Sequence, residues 1–177
     1  MNRRLVVLAG AGVAAAAIGA GTAWRRSRHD AEDAGAPEVT IDIWGLEFRS
    51  VDGAPVKMAN WRGRPLLLNF WATWCGPCVV EMPLLDRFAR EQSPRGWQVL
   101  ALAVDQPDPV RRFIAERTLT LPVAIAGAIG LDLSRHLGNA GGGLPFTVAF
   151  DSSGAAVQRR LGAVSSEMLA AWKTSTH

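Results

Sequence analysis

The sequence predicts an α/β fold: a mixed central sheet with helices on both faces and a β-hairpin extension at its N-terminal side. Three observations carry this. Leu66-Leu67-Leu68-Asn69-Phe70-Trp71 is an almost continuous apolar run, the pattern of a strand buried on both faces. Similar runs alternate with stretches of helical periodicity through the middle of the chain, which gives parallel strands joined by helices. The last third reads strand, tight turn, strand, helix, so an antiparallel hairpin joins the parallel pair.

The elements follow in order. A short strand is expected over Leu46 to Arg49, and Asp52-Gly53 is a turn signal leading into Pro55-Val56-Lys57. Arg62-Gly63-Arg64-Pro65 breaks the chain before the buried strand. A helix is expected from about Val79, with Met82, Leu85, Phe88 and Ala89 at helical spacing. Pro83 should remove one of its backbone hydrogen bonds and bend it. Ser93-Pro94-Arg95-Gly96 ends that helix, and Trp97 to Val104 is the next strand. Pro109 to Arg117 reads as a helix with Pro109 in its first turn. Leu121 to Ala124 is a short strand at most, and Leu131 to Leu137 is helical. Gly141-Gly142-Gly143 precedes Leu144-Pro145-Phe146, then comes the strand Thr147 to Phe150. Asp151-Ser152-Ser153-Gly154 turns the chain into Ala156 to Arg160. Ser165, with Glu167 close behind, starts a last helix through Trp172.

Residues 1–26 form a separate unit, expected to be an export signal or membrane anchor. Leu5 to Trp24 is 20 residues without a charge, flanked by arginines on both sides, and long enough to span a bilayer. Eight alanines and four glycines keep it only weakly hydrophobic. A cleaved secretory signal fits less well, because Gly21-Thr22-Ala23 is followed at once by Trp24-Arg25-Arg26. Asn2-Arg3-Arg4-Leu5-Val6-Val7 resembles a twin-arginine export signal, which is compatible with anchoring. Either route predicts a cell-envelope protein held on the periplasmic side of the inner membrane. Gly10-Ala11-Gly12 imitates a dinucleotide-binding turn, but no second strand leads on to an acid, so no nucleotide cofactor is expected.

Residues 27–38 are small, polar and charged, a flexible tether, and 39–177 make one domain. Net charge is +3, but five arginines sit within the first 28 residues. From Val39 onward 14 Lys+Arg face 12 Asp+Glu, which leaves no case for nucleic-acid binding.

The chemistry is concentrated in Trp74-Cys75-Gly76-Pro77-Cys78, which holds both cysteines of the 177-residue chain. Strand before and helix after put the first sulfur at a helix N-terminus, among unpaired N–H groups and the positive end of the dipole. That favours thiolate, the species that attacks disulfides, at a Cys75 expected to be open to solvent. Cys78, one turn on, can resolve the mixed disulfide. A zinc site would need four ligands, and only His29, His136 and His177 could supplement the pair, so no metal is expected. A purely structural bridge three residues apart would constrain little of the unfolded chain.

Asn69 to Cys78 with Glu81-Met82-Pro83 after it, the Asp52 to Val56 turn, Trp61 to Pro65, and Gly143-Leu144-Pro145-Phe146-Thr147 together resemble the TlpA/ResA/DsbE-like branch of membrane-tethered thioredoxin-like proteins. The resemblance runs from about Val39 to the C-terminus. It implies Cys75 as nucleophile, Cys78 as resolving thiol, and an acid/base contribution from Glu81, which lies one turn beyond Cys78. Otherwise Glu81 is an exposed helical carboxylate. It implies a cis bond before Pro145, with the Leu144 backbone free to pair with an extended substrate segment. Trp74, Gly76 and Pro77 complete the expected substrate-binding set, and Trp71 is either a cap on the site or core. Asn69 stands where thioredoxin has a buried acid, which shifts proton handling toward Glu81; otherwise it satisfies backbone groups within the sheet. The implied partners are disulfide-containing proteins, apocytochrome c among them, and a membrane thiol-disulfide electron donor. The competing expectation is a thiol-dependent peroxidase of the redoxin type. Its usual Pro-x-x-x-Thr-x-x-Cys pattern is absent here, since Thr73 is two residues before Cys75 and no proline precedes it at the right place.

Overall fold

A computed structural model describes residues 41–94 and 96–175. The expected anchor (1–26) and the expected tether (27–38) lie outside the described residues, as does the dinucleotide look-alike. The chain enters through a 3-10 turn, Ile43–Gly45, into the hairpin β1 (Glu47–Ser50) and β2 (Pro55–Lys57), followed by a second 3-10 turn at Met58–Trp61. Then come β3 (Leu66–Trp71), α1 (Gly76–Gln92), β4 (Gln98–Ala103), α2 (Pro107–Arg117), β5 (Val123–Ile125) and α3 (Ile129–His136). The hairpin β6 (Phe146–Phe150) and β7 (Ala156–Leu161) leads to α4 (Ser166–Ser175).

All seven strands form one sheet in the order β2-β1-β5-β4-β3-β6-β7. β3, β4 and β5 are parallel, and β6, β7 and the leading hairpin are antiparallel to their neighbours. Each crossover, β3-α1-β4 and β4-α2-β5, moves one strand in the same direction, so both helices cover the same face. Leu67 and Trp71 point to that face and pack with Met82, Leu85, Phe88, Val110, Leu169 and Trp172. Leu66, Leu68 and Phe70 point the other way, onto Phe48, Met58, Leu133 and Val148. Every residue of β3 is buried, as its unbroken apolar pattern requires.

Three helix starts differ from expectation, one of them α3, which begins at Ile129 rather than Leu131. α1 begins at Gly76 rather than near Val79, because Cys75 supplies the cap and Pro77 fits the first turn. α2 begins at Pro107 rather than Pro109, since Pro107 has the fixed φ of a first helical residue and no N–H to leave unpaired. α1 also continues through Pro83. The last helix starts as the Ser165 signal predicted: Ser165 Oγ accepts from the Met168 N–H at 3.3 Å.

Asp86 on α1 is buried and ties that helix to the segment leading into β5. Its Oδ1 accepts from Thr120 N at 2.7 Å, Thr120 Oγ1 at 3.0 Å and Leu121 N at 2.8 Å, while Oδ2 pairs with Arg90. Asp86→Ala leaves those donors without an acceptor, so it should cost about 2–4 kcal/mol of unfolding free energy. Chemical denaturation checks this; a loss within about 0.5 kcal/mol, ordinary for a surface site, would contradict it.

Candidate active site

The end of β3 delivers the chain to a turn in which Cys75 N–H donates to Ala72 O at 3.2 Å. Cys75 is the N-cap of α1: its backbone is extended (φ −92°, ψ 104°), and its Sγ accepts from the Cys78 N–H at 3.3 Å. The sulfur therefore sits where an orphan helical donor can stabilise negative charge. Cys75 and Cys78 form a disulfide with Cα atoms 5.3 Å apart. Cys78 is fully buried and Cys75 is 7% exposed. The expectation of an open Cys75 is thus corrected in the disulfide form, where the residue lies within an apolar cluster. Cys75 remains the more exposed residue of the pair. Gly76 and Pro77 are exposed beside it, and Trp74 presents 66% of its surface. Trp71 is core: it is fully buried and packs on Phe113 with ring centroids 5.2 Å apart.

The loop is held from behind by Asp105, two residues past β4. Its Oδ2 accepts from Thr73 N at 2.9 Å and from Thr73 Oγ1 at 2.5 Å, while Oδ1 caps Gln106 N at 2.7 Å. Sequence reading gave Asp105 no role. Its position just past an apolar strand, at the carboxyl end of a parallel sheet where ligands gather, was the available signal.

Glu81 is only 3% exposed, so its reading as a solvated helical charge does not hold. Oε1 accepts from Asn69 Nδ2 at 2.9 Å and Oε2 from the Val164 N–H at 2.8 Å. Asn69 Nδ2 also donates to Thr147 Oγ1 at 3.0 Å, across the β3–β6 register that sets the two residues opposite each other. Asn69 therefore serves two side chains rather than backbone groups of the sheet. Burial pushes the Glu81 carboxyl above the usual range, and the bonds from Val164 and Asn69 pull it back part of the way.

The Leu144–Pro145 bond is cis. Because β6 runs antiparallel to β3 with Phe146 opposite Phe70, Pro145 lies at the sheet end that carries the cysteine loop. Its carbonyl accepts from Gly162 N at 2.8 Å. Leu144 packs against the apolar cluster containing both cysteines, and its backbone makes no hydrogen bond among the described residues. A helix-capping dithiol with a buried acid one turn along its helix is equipped for thiol-disulfide exchange, and Leu144 leaves an unpaired backbone at the same sheet end.

A sheet and site of this kind define the thioredoxin-like thiol-disulfide oxidoreductases, and comparison with known proteins agrees. The redoxin model matches residues 31–175, so the chain belongs to the redoxin family. It is 31% identical to the thiol-disulfide oxidoreductase ResA of Bacillus anthracis over 121 residues, which cover 67% of each chain. Among solved structures, a thioredoxin-related protein from Neisseria meningitidis serogroup B aligns with a TM-score of 0.65 at 27% identity, covering 74% of this chain and 98% of that one. A thiol:disulfide interchange protein from Chlorobium tepidum TLS aligns at 0.64 and 26%, covering 74% and 92%.

Proposed function

We propose that this chain reduces disulfide bonds in protein targets outside the cytoplasm, held at the membrane by its N-terminal segment and recharged by a membrane thiol-disulfide donor. The observation that carries the reading is the Cys75 cap, in which one sulfur receives a helix N–H while its partner is buried a turn away. In the dithiol form, Cys75 thiolate attacks a target disulfide, forming a mixed disulfide and releasing one target thiolate, which takes a proton. Cys78 then loses its proton, attacks Cys75 Sγ and releases the second target thiolate. Two electrons and two protons pass to the target, and the Cys75–Cys78 disulfide is left for the donor to reduce.

Glu81 is the base in the second step. It lies one turn beyond Cys78, is buried with it, and has a carboxyl raised toward the range useful for proton transfer. Trp74, Gly76, Pro77, Leu144 and Pro145 receive the target, Leu144 through its unpaired backbone. Support for export and anchoring comes from the uncharged run Leu5 to Trp24 and its arginine flanks. No helix among the described residues is long and apolar enough to cross a membrane. The Gly76-Pro77 pair between the cysteines, matching reducing thioredoxin, supports the reducing direction.

The midpoint potential of the Cys75–Cys78 couple tests that direction. It should fall below about −200 mV, on the thioredoxin side of the scale; a value near −120 mV, that of a dedicated oxidant, would reverse the electron flow.

A further inference from the structure

We propose that Asn139 is a positioning residue for target capture: its buried carboxamide fixes the glycine-rich loop so that the Leu144 backbone is already arranged to receive an extended segment. This deepens the thiol-disulfide reading above and rests on it.

Asn139 lies just past α3 and is 2% exposed. Its Nδ2 donates to Gly143 O at 2.8 Å and to Ser134 Oγ at 3.1 Å; Ser134, fully buried, donates in turn to Leu131 O at 2.8 Å. The Asn139 backbone is used as well: its N–H donates to Ser134 O at 3.0 Å, and its carbonyl accepts from Gly142 N at 2.8 Å. One residue thus ties the loop 140–143 to the C-terminal turn of α3 and ends its reach on the carbonyl directly before Leu144.

Two features separate this from ordinary packing. The Asn139 Oδ1 is buried and makes no hydrogen bond among the described residues. The carboxamide therefore acts through its donor alone, and both of its bonds are made to the loop and the end of α3. The segment it holds, Gly141-Gly142-Gly143, has the greatest backbone freedom the chain contains. Gly142 is in the left-handed region (φ +63°), and a Cβ there would lie 2.9 Å from Arg135 Nη2. Gly142 permits this turn, and Asn139 supplies the order that the glycine run lacks. A target strand adding at Leu144 then meets a loop that has already lost its freedom, which lowers the entropy cost of binding.

The test uses the full chain, reduced by dithiothreitol, with two substrates: insulin, whose disulfide lies in a peptide strand, and bis(2-hydroxyethyl) disulfide, which has no strand to add. Asn139→Ala should raise KM for insulin about tenfold, the effect of one lost buried hydrogen bond, while the rate on the small disulfide stays within about twofold. Asn139→Asp keeps the volume but sets an acceptor against Gly143 O, and should raise KM for insulin by a similar factor. An unchanged KM in either variant overturns the proposal, and so does an equal loss on both substrates. A wild-type chain that reduces neither disulfide would instead remove the reading beneath it. In the wild-type chain the Gly142 amide should exchange slowly with solvent before any substrate is added; rapid exchange there overturns the proposal even where a variant does not fold.

Discussion

Cys75→Ser is expected to lower protein-disulfide reduction to background, a fall of at least about three orders of magnitude, because serine supplies no thiolate and no bond to the target. Cys78→Ser should behave differently. Its Cys75 still attacks, but nothing releases the mixed disulfide, so the variant should accumulate covalently joined to its target in a ratio approaching one to one. The asymmetry follows from geometry. Cys75 Sγ accepts a helix N–H and Cys75 is the less buried residue, whereas Cys78 has no exposed surface. Gel analysis without reductant, after mixing each reduced variant with insulin, separates the cases. Trapping by Cys75→Ser in place of Cys78→Ser would reverse the assignment of nucleophile, and retained turnover in Cys75→Ser would remove it.

Strand positions were legible because each buried strand is an apolar run between turn residues. Leu66 to Trp71 is the clearest case, and the structure begins and ends β3 there. Helix starts were less legible. Serine and aspartate announce an N-cap, as Ser165 did, but cysteine is not among the usual capping residues, so α1 was expected three residues late. The cysteines and Pro145 could be read from spacing and family resemblance, since those constraints are local in sequence. The supporting residues could not. Asp105 acts on Thr73 across 32 positions, Thr147 reaches Asn69 across 78, and Val164 reaches Glu81 across 83. No period or motif joins such pairs; only the strand order brings β6, and the turn after β7, beside β3. Asn139 was missed for a related reason. A single asparagine after a helix is a common ending, and its function lies in a contact with a glycine carbonyl that has no signature in sequence.

Glu81→Gln should slow turnover about a hundredfold, the lower end of what a positioned general base contributes, while leaving the first attack by Cys75 nearly intact. Single-turnover kinetics would then show the mixed disulfide forming at close to the wild-type rate and decaying slowly. The substitution is nearly isosteric, and its amide finds partners: Val164 N–H can donate to the Gln oxygen, and the Asn69 amide can turn so that its idle Oδ1 accepts from the Gln nitrogen. Stability should separate the two proteins in the opposite sense. The folded carboxyl of Glu81 is raised above its ordinary value of 4.5, chiefly by burial, so the native state binds this proton more tightly than the unfolded chain does. That contribution is fully present below pH 4.5 and is lost as pH rises through the folded value. In the disulfide form, wild-type unfolding free energy should therefore decline relative to Glu81→Gln as pH climbs from 4.5 toward neutrality. Parallel curves for the two proteins would mean that Glu81 titrates like a solvated acid. A mixed disulfide that decays at the wild-type rate in Glu81→Gln would show that the proton of Cys78 leaves by another route.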